Sequence, residues 1–378
     1  MKGGITVKRL LVACVVLCVC FALAACTASD PDNLFEVTTL DAAGTIAAGT
    51  ERTEPNLQTA PMDSVDYEAL EPVYQYGNMQ KGGGFMRIGK HVLFTFLQDG
   101  NNRLFAYDLT TGKVRLWCDD ATCTHGDCKA GGILFGLEVY GGKIYVTAGN
   151  FQVTEITDTE KVPVTAGQSF GFCHHDNCLY LKTGDSSLAM LEEGSDKARI
   201  LIDEYTKDNH VVFGNYLYAT SYDSLSRIDI TAAEPKEEML LANASAVTNG
   251  QHIYYVDMAT NFLFRCAMDG TGAELLLDQP VHFVGINFDE EYFYFRFFTS
   301  EKNSFNEDSY DLYRFPMNDP ARIEKIATLP APIANIFTVP GTGKLFVTVY
   351  ERSNGEQDDI YALNTDGSNI TRLEIPEY

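Results

Sequence analysis

Basic residues are scarce in this chain: 28 Lys+Arg stand against 52 Asp+Glu, a net charge of −24 at pH 7. A surface of that sign repels phosphate backbones and anionic glycans, which both need basic patches, so nucleic acid is not an expected partner. Tryptophan occurs once, as Trp117, which disfavours a sugar-stacking platform, although 20 Tyr and 23 Phe are available for that role. No segment reads as a long amphipathic helix. Short chemical signatures are missing as well: there is no H-E-x-x-H, no phosphate-cradling G-x-x-x-x-G-K-[ST] and no dinucleotide fingerprint. Gly167-Gln168-Ser169-Phe170-Gly171 matches G-x-S-x-G, but a nucleophile elbow needs a strand-to-helix turn and this stretch precedes a β hairpin.

The first residues carry a processing signal. Lys2, Lys8 and Arg9 form a positive start, and Leu10 to Ala25 is an unbroken apolar run that is shorter than the roughly twenty residues of a spanning helix. The run closes on Leu23-Ala24-Ala25-Cys26, which closely resembles the bacterial lipobox. That resemblance implies cleavage before Cys26 and a diacylglycerol thioether on its sulfur, hence a protein lipid-anchored to the cell membrane on its extracytoplasmic side. Residues 1–25 hold three of the basic residues and none of the acidic ones, so the remaining chain has 25 against 52, a net −27. Residues 26–66, rich in Thr, Ala, Asp, Pro and Gly, read as a flexible tether with a root-mean-square reach of about 35 Å.

Residues 67–378 contain an internal repeat. A short strand, a tight turn, a strand with an aromatic pair, a second turn, an alternating strand, a Gly or Asp-Gly turn and a last strand follow one another in AVTNGQHIYYVDMATNFLFRCAMDGTGAELLL (246–277). The pattern recurs at 87–117, 137–149, 172–194, 211–230, 283–317 and 336–369. Seven units that each cannot bury both faces alone, stacked around an axis, make an all-β fold: a seven-bladed β-propeller of four-stranded blades. Residues Tyr67 to Tyr76 are placed to supply a strand that completes the seventh blade and closes the ring.

Ile253-Tyr254-Tyr255, Leu263-Phe264-Arg265 with Met268-Asp269-Gly270-Thr271, Leu363 to Asn369 (LNTDGSN) and the Cys-rich stretch after Trp117 together resemble the propeller lipoproteins of anaerobic Firmicutes, with TolB-like or low-density-lipoprotein-receptor-type blades. The resemblance implies architecture and location and lends no biochemical activity.

With the strands of a blade called a to d from the channel outward, d-to-a and b-to-c loops share one face and a-to-b and c-to-d turns share the other. The long insertions are Cys118–Gly132 (d to a), Thr299–Ser309 and Glu351–Asp359 (both b to c), so one face is elaborated. It carries Glu301, Glu307, Asp308, Glu351, Glu356, Asp358 and Asp359 against Lys302 and Arg352. Such loops on a rigid scaffold are the expected binding face for a protein, a peptide or a cationic ligand. They also serve simply to keep the protein soluble.

Cys118, Cys123, His125 and Cys128 form C-x4-C-x-H-x2-C, a complete tetrahedral donor set for one structural zinc. A Cys118–Cys123 or Cys123–Cys128 disulfide would order the same loop, and the spacing lacks the usual C-x2-C knuckle. A second cluster, Cys173, His175 and Cys178, falls on an a-to-b hairpin. If Asp176-Asn177 is its turn, His175 faces Cys178 and Cys173 faces Tyr180 on one side, as an ordinary hairpin with buried thiols, a disulfide or a small ligand set. Cys266 belongs to the core.

The composite expectation is a monomeric, membrane-anchored extracytoplasmic lipoprotein whose propeller is a binding or scaffolding module, with binding favoured over catalysis. Two other classes stand beside it. One is a cell-surface glycan or peptide hydrolase or lyase with carboxylates at the channel mouth, which leaves no local motif. The other is a metal-dependent sensor or carrier.

Overall fold

Alternation of apolar residues on both faces of each strand is what a blade needs, because each sheet is sandwiched between two others. The computed structural model describes residues 84–377 except 99, 119–122, 124–127, 158–159, 196, 222, 283–284, 299–309, 340 and 351–358. The expected leader (1–25), Cys26, the expected tether (26–66) and the segment 67–76 lie outside the described residues. Seven antiparallel four-stranded meanders follow in chain order. Blade 1 is β1 (Phe85–Ile88), β2 (His91–Gln98), β3 (Asn101–Asp108) and β4 (Val114–Leu116); blade 2 is β5 (Ile133–Tyr140), β6 (Lys143–Ala148), β7 (Gln152–Ile156) and β8 (Lys161–Pro163). Blade 3 is β9 (Ser169–His175), β10 (Cys178–Thr183), β11 (Leu188–Glu192) and β12 (Arg199–Ile202); blade 4 is β13 (Asn209–Phe213), β14 (Tyr216–Ser221), β15 (Ser224–Asp229) and β16 (Glu237–Ala242). Blade 5 is β17 (Ala244–Thr248), β18 (His252–Asp257), β19 (Leu263–Ala267) and β20 (Glu274–Leu277); blade 6 is β21 (Asn287–Phe288), β22 (Tyr292–Phe295), β23 (Asp311–Pro316) and β24 (Glu324–Thr328). Blade 7 is β25 (Ile333–Val339), β26 (Lys344–Val349), β27 (Asp359–Asn364) and β28 (Thr371–Arg372). The described residues contain no helix, and so none long and apolar enough to cross a membrane.

The turns follow from local chemistry. Asp176 and Asn177 both take positive φ, 46° and 60°, the conformation a two-residue hairpin of primed type requires. The c-to-d turns share one device: the Oδ1 of Asp108, Asp229, Asp269 or Asp366 accepts the backbone N–H of Thr110, Thr231, Thr271 or Ser368 at 2.9–3.0 Å. Hydrogen bonds to the ionised form hold these four carboxyls below their usual range.

Innermost strands β1, β5 and β9 touch in sequence, β9 meets β13, and β21 meets β25, which returns to β1. Phe85 of β1 packs 4.9 Å from Phe337 of β25 and 4.8 Å from Phe346 of β26, so aromatic contacts join the first and last blades. Among the described residues, the four strands of blade 7 all come from Ile333–Arg372. The outer place in that sheet is taken by β28, whose Thr371 and Arg372 pair with Ala362 and Tyr361. The two middle strands sit deep; Val92, Leu93 and Phe94 of β2 and Leu104, Phe105 and Ala106 of β3 have no exposure at all.

Candidate functional site

The long d-to-a loop after β4 brings its thiols together. The sulfurs of Cys118, Cys123 and Cys128 all lie within 4.8 Å of one another, and all three are half-buried. Four sulfurs around zinc at 2.3 Å stand about 3.8 Å apart, so three converging thiols fit the cation with small adjustments. No disulfide joins the six described cysteines, and the triad converges as a set rather than pairing off. Cys128 Sγ accepts the Ala130 N–H at 3.4 Å. Burial first, and its thiol neighbours after it, push the Cys128 thiol up to about 11; a bound cation would reverse that balance by favouring thiolate. His125, the fourth expected ligand, lies outside the described residues.

The same loop is stitched to its surroundings as it enters β5. Leu104 N–H donates to Ala130 O at 2.8 Å, Lys161 Nζ to Gly131 O at 2.9 Å, and Asn102 Nδ2 to Leu134 O at 3.0 Å. Beyond it, β5 lines a cavity of about 190 Å³ between blades 2, 3 and 4, walled by Phe135, Glu138, Phe170, Phe172, Asp208 and His210. Because β5, β9 and β13 are the innermost strands of their blades, this is a pocket in the channel wall.

Its rim is aromatic. Phe151 stands 6.0 Å from Phe135 and 5.3 Å from Phe170, and Phe135 stacks on Phe170 at 6.4 Å with 14° between the rings. Phe151 reaches this position from a b-to-c turn with φ of 63°, a conformation a bulky residue rarely adopts. Glycines set the width: a Cβ on Gly171 would come 2.5 Å from Asp208 O, and one on Gly136 2.9 Å from the Phe172 ring. Beneath the rim, Glu138 receives the backbone N–H of His174 at 2.8 Å and lies 2.7 Å from its Nδ1. His210 Nε2 lies 3.1 Å from Tyr180 O and its Nδ1 3.4 Å from Tyr205 Oη. Complete burial pushes His210 down to about 4, so it is a neutral imidazole.

The second cysteine cluster has the expected register, with Cys178 opposite His175 and Tyr180 opposite Cys173. Among the described residues its three donors do not converge as a metal-binding group, and both thiols are free. Cys173 is fully buried, and desolvation raises its thiol well above the usual range. Cys266, 2% exposed in β19, is core, its thiol pushed up by burial to about 11. Ser169 of the G-x-S-x-G stretch has no exposure and donates its hydroxyl to Gly171 O at 3.4 Å.

Among the expected face carboxylates, Glu301, Glu307, Asp308, Glu351 and Asp358 lie outside the described residues. Asp359 opens β27 and is held by Arg372 at 2.6 Å, so its charge is already matched within blade 7. The strands flanking these loops do join b to c in blades 6 and 7, and the Cys loop joins d to a. Sequence reading missed Glu138 and His174, which are 36 residues apart on separate blades. The one available signal was an acid within the apolar stretch ILFGLEVY.

No family model matches this chain, and no curated protein matches it. Solved structures do. A prolyl endopeptidase superposes with a TM-score of 0.53 and 11% identity over 82% of this chain, and a puromycin hydrolase mutant in complex with PGG with 0.53 and 12% over 81%. This chain covers 51% and 57% of those two proteins, about half of their length. The crystal structure of a nidogen/laminin complex matches over 60% of this chain and 91% of the other, with a TM-score of 0.40 and 13% identity. At such identities the likeness is one of fold: this chain is a seven-bladed β-propeller. That architecture is consistent with a binding or scaffolding module.

Proposed function

We propose that the chain is an extracytoplasmic lipoprotein, held to the membrane through Cys26, whose propeller captures cationic ligands at the face bearing the long loops. The observation that carries the reading is the channel-wall pocket, in which an aromatic rim of Phe135 and Phe170 stands over walls that include Glu138, engaged by His174, and Asp208, 3.3 Å from Lys182. An amine or guanidinium group suits the rim, because ring faces attract cations and the protein's −24 charge steers them inward. The acidic residues Glu301, Glu307, Asp308, Glu351 and Asp358 extend that attraction over the loops. The thiol triad, closed by His125 around one zinc, would fix the loop that feeds β5 and so the position of Phe135; four protein ligands leave the metal structural.

Burial of Ser169 supports binding over serine chemistry. The test is calorimetric titration of the lipid-free protein with spermidine, choline and a Lys/Arg-containing peptide. Micromolar to millimolar binding that weakens about tenfold in Phe170→Ala, equivalent to ~1.4 kcal/mol, is expected. Absence of binding to all three probes would sink the reading. Lipid attachment is tested separately, by loss of membrane fractionation in Cys26→Ala.

A further inference from the structure

Strand β22 lies in a run of aromatics, Tyr292 to Phe298, that contains a single charge, Arg296. Pairing continues past the end of β22: Val281 bridges Phe297, the His282 N–H donates to Arg296 O at 3.0 Å, and the Phe298 N–H donates to Pro280 O at 2.9 Å. Arg296 therefore sits on a short ribbon where the d-to-a connection from blade 5 meets the second strand of blade 6. That is the end of the propeller carrying the long loops.

Its guanidinium is in an unusual state for this protein. Arg296 is only 2% exposed, and its Nε and Nη2 are both shut from solvent without a hydrogen-bond partner. Arg227 holds Glu238 at 2.7 Å, Arg314 holds Glu324 at 3.0 Å and Arg372 holds Asp359 at 2.6 Å, while the buried Arg87 and Arg103 bond the Gly89 carbonyl and the Gln98 amide oxygen. In a chain with 52 acidic residues, leaving one buried guanidinium unmatched is costly, since an uncompensated internal charge consumes a large share of a domain's net stability.

The surroundings are built around this side chain rather than against it. Gly285 packs its bare Cα there; a Cβ would come 2.7 Å from Nε and 2.9 Å from Cγ. His282, 4% exposed, is pushed down to about 3 by burial and then by the charge of Arg296, so it stays neutral and adds no second cation. Tyr350, at the end of β26 in blade 7 and 43% exposed, acts electrostatically on the guanidinium and is the neighbour that reaches solvent.

Nε–H and the adjacent Nη2–H form one edge of the planar fork, spaced to meet the two oxygens of a carboxylate side-on. We propose that Arg296 anchors a carboxylate-binding site where the connection from blade 5 meets blade 6, the two unpartnered donors taking one oxygen each of a ligand carboxylate. The site is separate from the aromatic pocket of blades 2–4 and takes ligands of opposite charge, so it stands or falls independently of that pocket.

Thermal unfolding and calorimetry of the lipid-free full chain test it, with acetate, succinate and inorganic phosphate as probes against chloride at constant ionic strength. Acetate or succinate should raise the melting temperature saturably, as a ligand bound only by the folded state must. Arg296→Met should abolish that rise and, in chloride alone, melt at the same or a higher temperature, because it removes an unmatched charge. No saturable rise with either carboxylate, or a rise with phosphate only, would overturn the assignment. So would an Arg296→Met protein that melts well below the wild type in chloride: an internal carboxylate would then already hold the guanidinium. A Glu301→Gln, Glu307→Gln, Asp308→Asn variant with the same loss would identify it.

Discussion

His174 and Glu138 bridge blades 2 and 3 by two bonds from one residue to the other: the backbone N–H of His174 reaches Oε1 at 2.8 Å, and its Nδ1 lies 2.7 Å from Oε2. The tautomer with its hydrogen on Nδ1 makes both contacts donations to the one carboxylate. The imidazole is further clasped by Tyr140, stacked at 5.0 Å, and Tyr145 at 4.2 Å.

Removing the carboxylate strands both donors in a buried joint. Glu138→Ala should lose about 2–4 kcal/mol by urea unfolding. With His174→Phe and the double variant in a cycle, a coupling of at least ~1 kcal/mol is expected. Additive losses would show that the pair is not a unit.

The thiol triad predicts a bound metal. Elemental analysis of protein purified without chelator should find one zinc per chain, with the cysteines titrating as free thiols once unfolded and stripped. Cys123→Ser should lose the metal and several degrees of melting temperature, whereas Cys266→Ser should keep it. Loss of two thiols with no metal would instead identify a disulfide clip.

Acid should weaken the fold through its buried histidines. The folded-state values of His210, about 4, and His282, about 3, lie below the ordinary 6.5, so between those limits the unfolded chain binds protons that the folded one refuses. Their stabilisation is complete above pH 6.5 and is lost as pH falls towards 4 and 3. For His210 alone the loss at pH 5 is about 2 kcal/mol. His210→Phe should show a correspondingly shallower decline in urea stability between pH 7.5 and 5; an unchanged slope would contradict the burial argument.

Gly171 marks where blades 3 and 4 approach most closely beside the pocket. Gly171→Ala sets a methyl 2.5 Å from Asp208 O, a backbone atom that cannot swing aside. A loss of about 1–3 kcal/mol is expected, with weaker binding of any ligand that uses the pocket. Wild-type stability would mean that the joint yields more readily than its packing implies.

Inner strands and turns were legible because two local signals coincide there: period-2 apolar patterning and residues that accept positive φ. Unit 246–277 corresponds to β17–β20, Ala244–Leu277, almost residue for residue. Outer strands escaped notice. In blades 3 and 4 the readable pattern stopped at 194 and 230, yet β12 (Arg199–Ile202) and β16 (Glu237–Ala242) follow. Both are largely solvent-facing, as EEMLLA shows, and an edge strand with one wet face has no alternation to read. Site residues were harder still, because Glu138 meets His174, and Arg296 meets the connection bearing His282 and Gly285, only once the chain has folded. A lone charge within an aromatic or apolar strand was the sole trace that either left in the sequence.

Among the described residues no strand pairing crosses the joint between the first and last blades: Phe85 packs against Phe337 and Phe346, Tyr107 against Phe346 at 5.3 Å, and Gln98 Nε2 donates to Pro376 O at 2.8 Å. Each meander is thus a complete module with its own four strands, and the ring is a cyclic array of interchangeable parts. Duplicating or deleting a module rewires no sheet; it alters only the wedge angle that the facing aromatics must fill. Ring size in this architecture is accordingly a property of interface shape, open to change by substitution at the seams rather than by redrawing the chain's path.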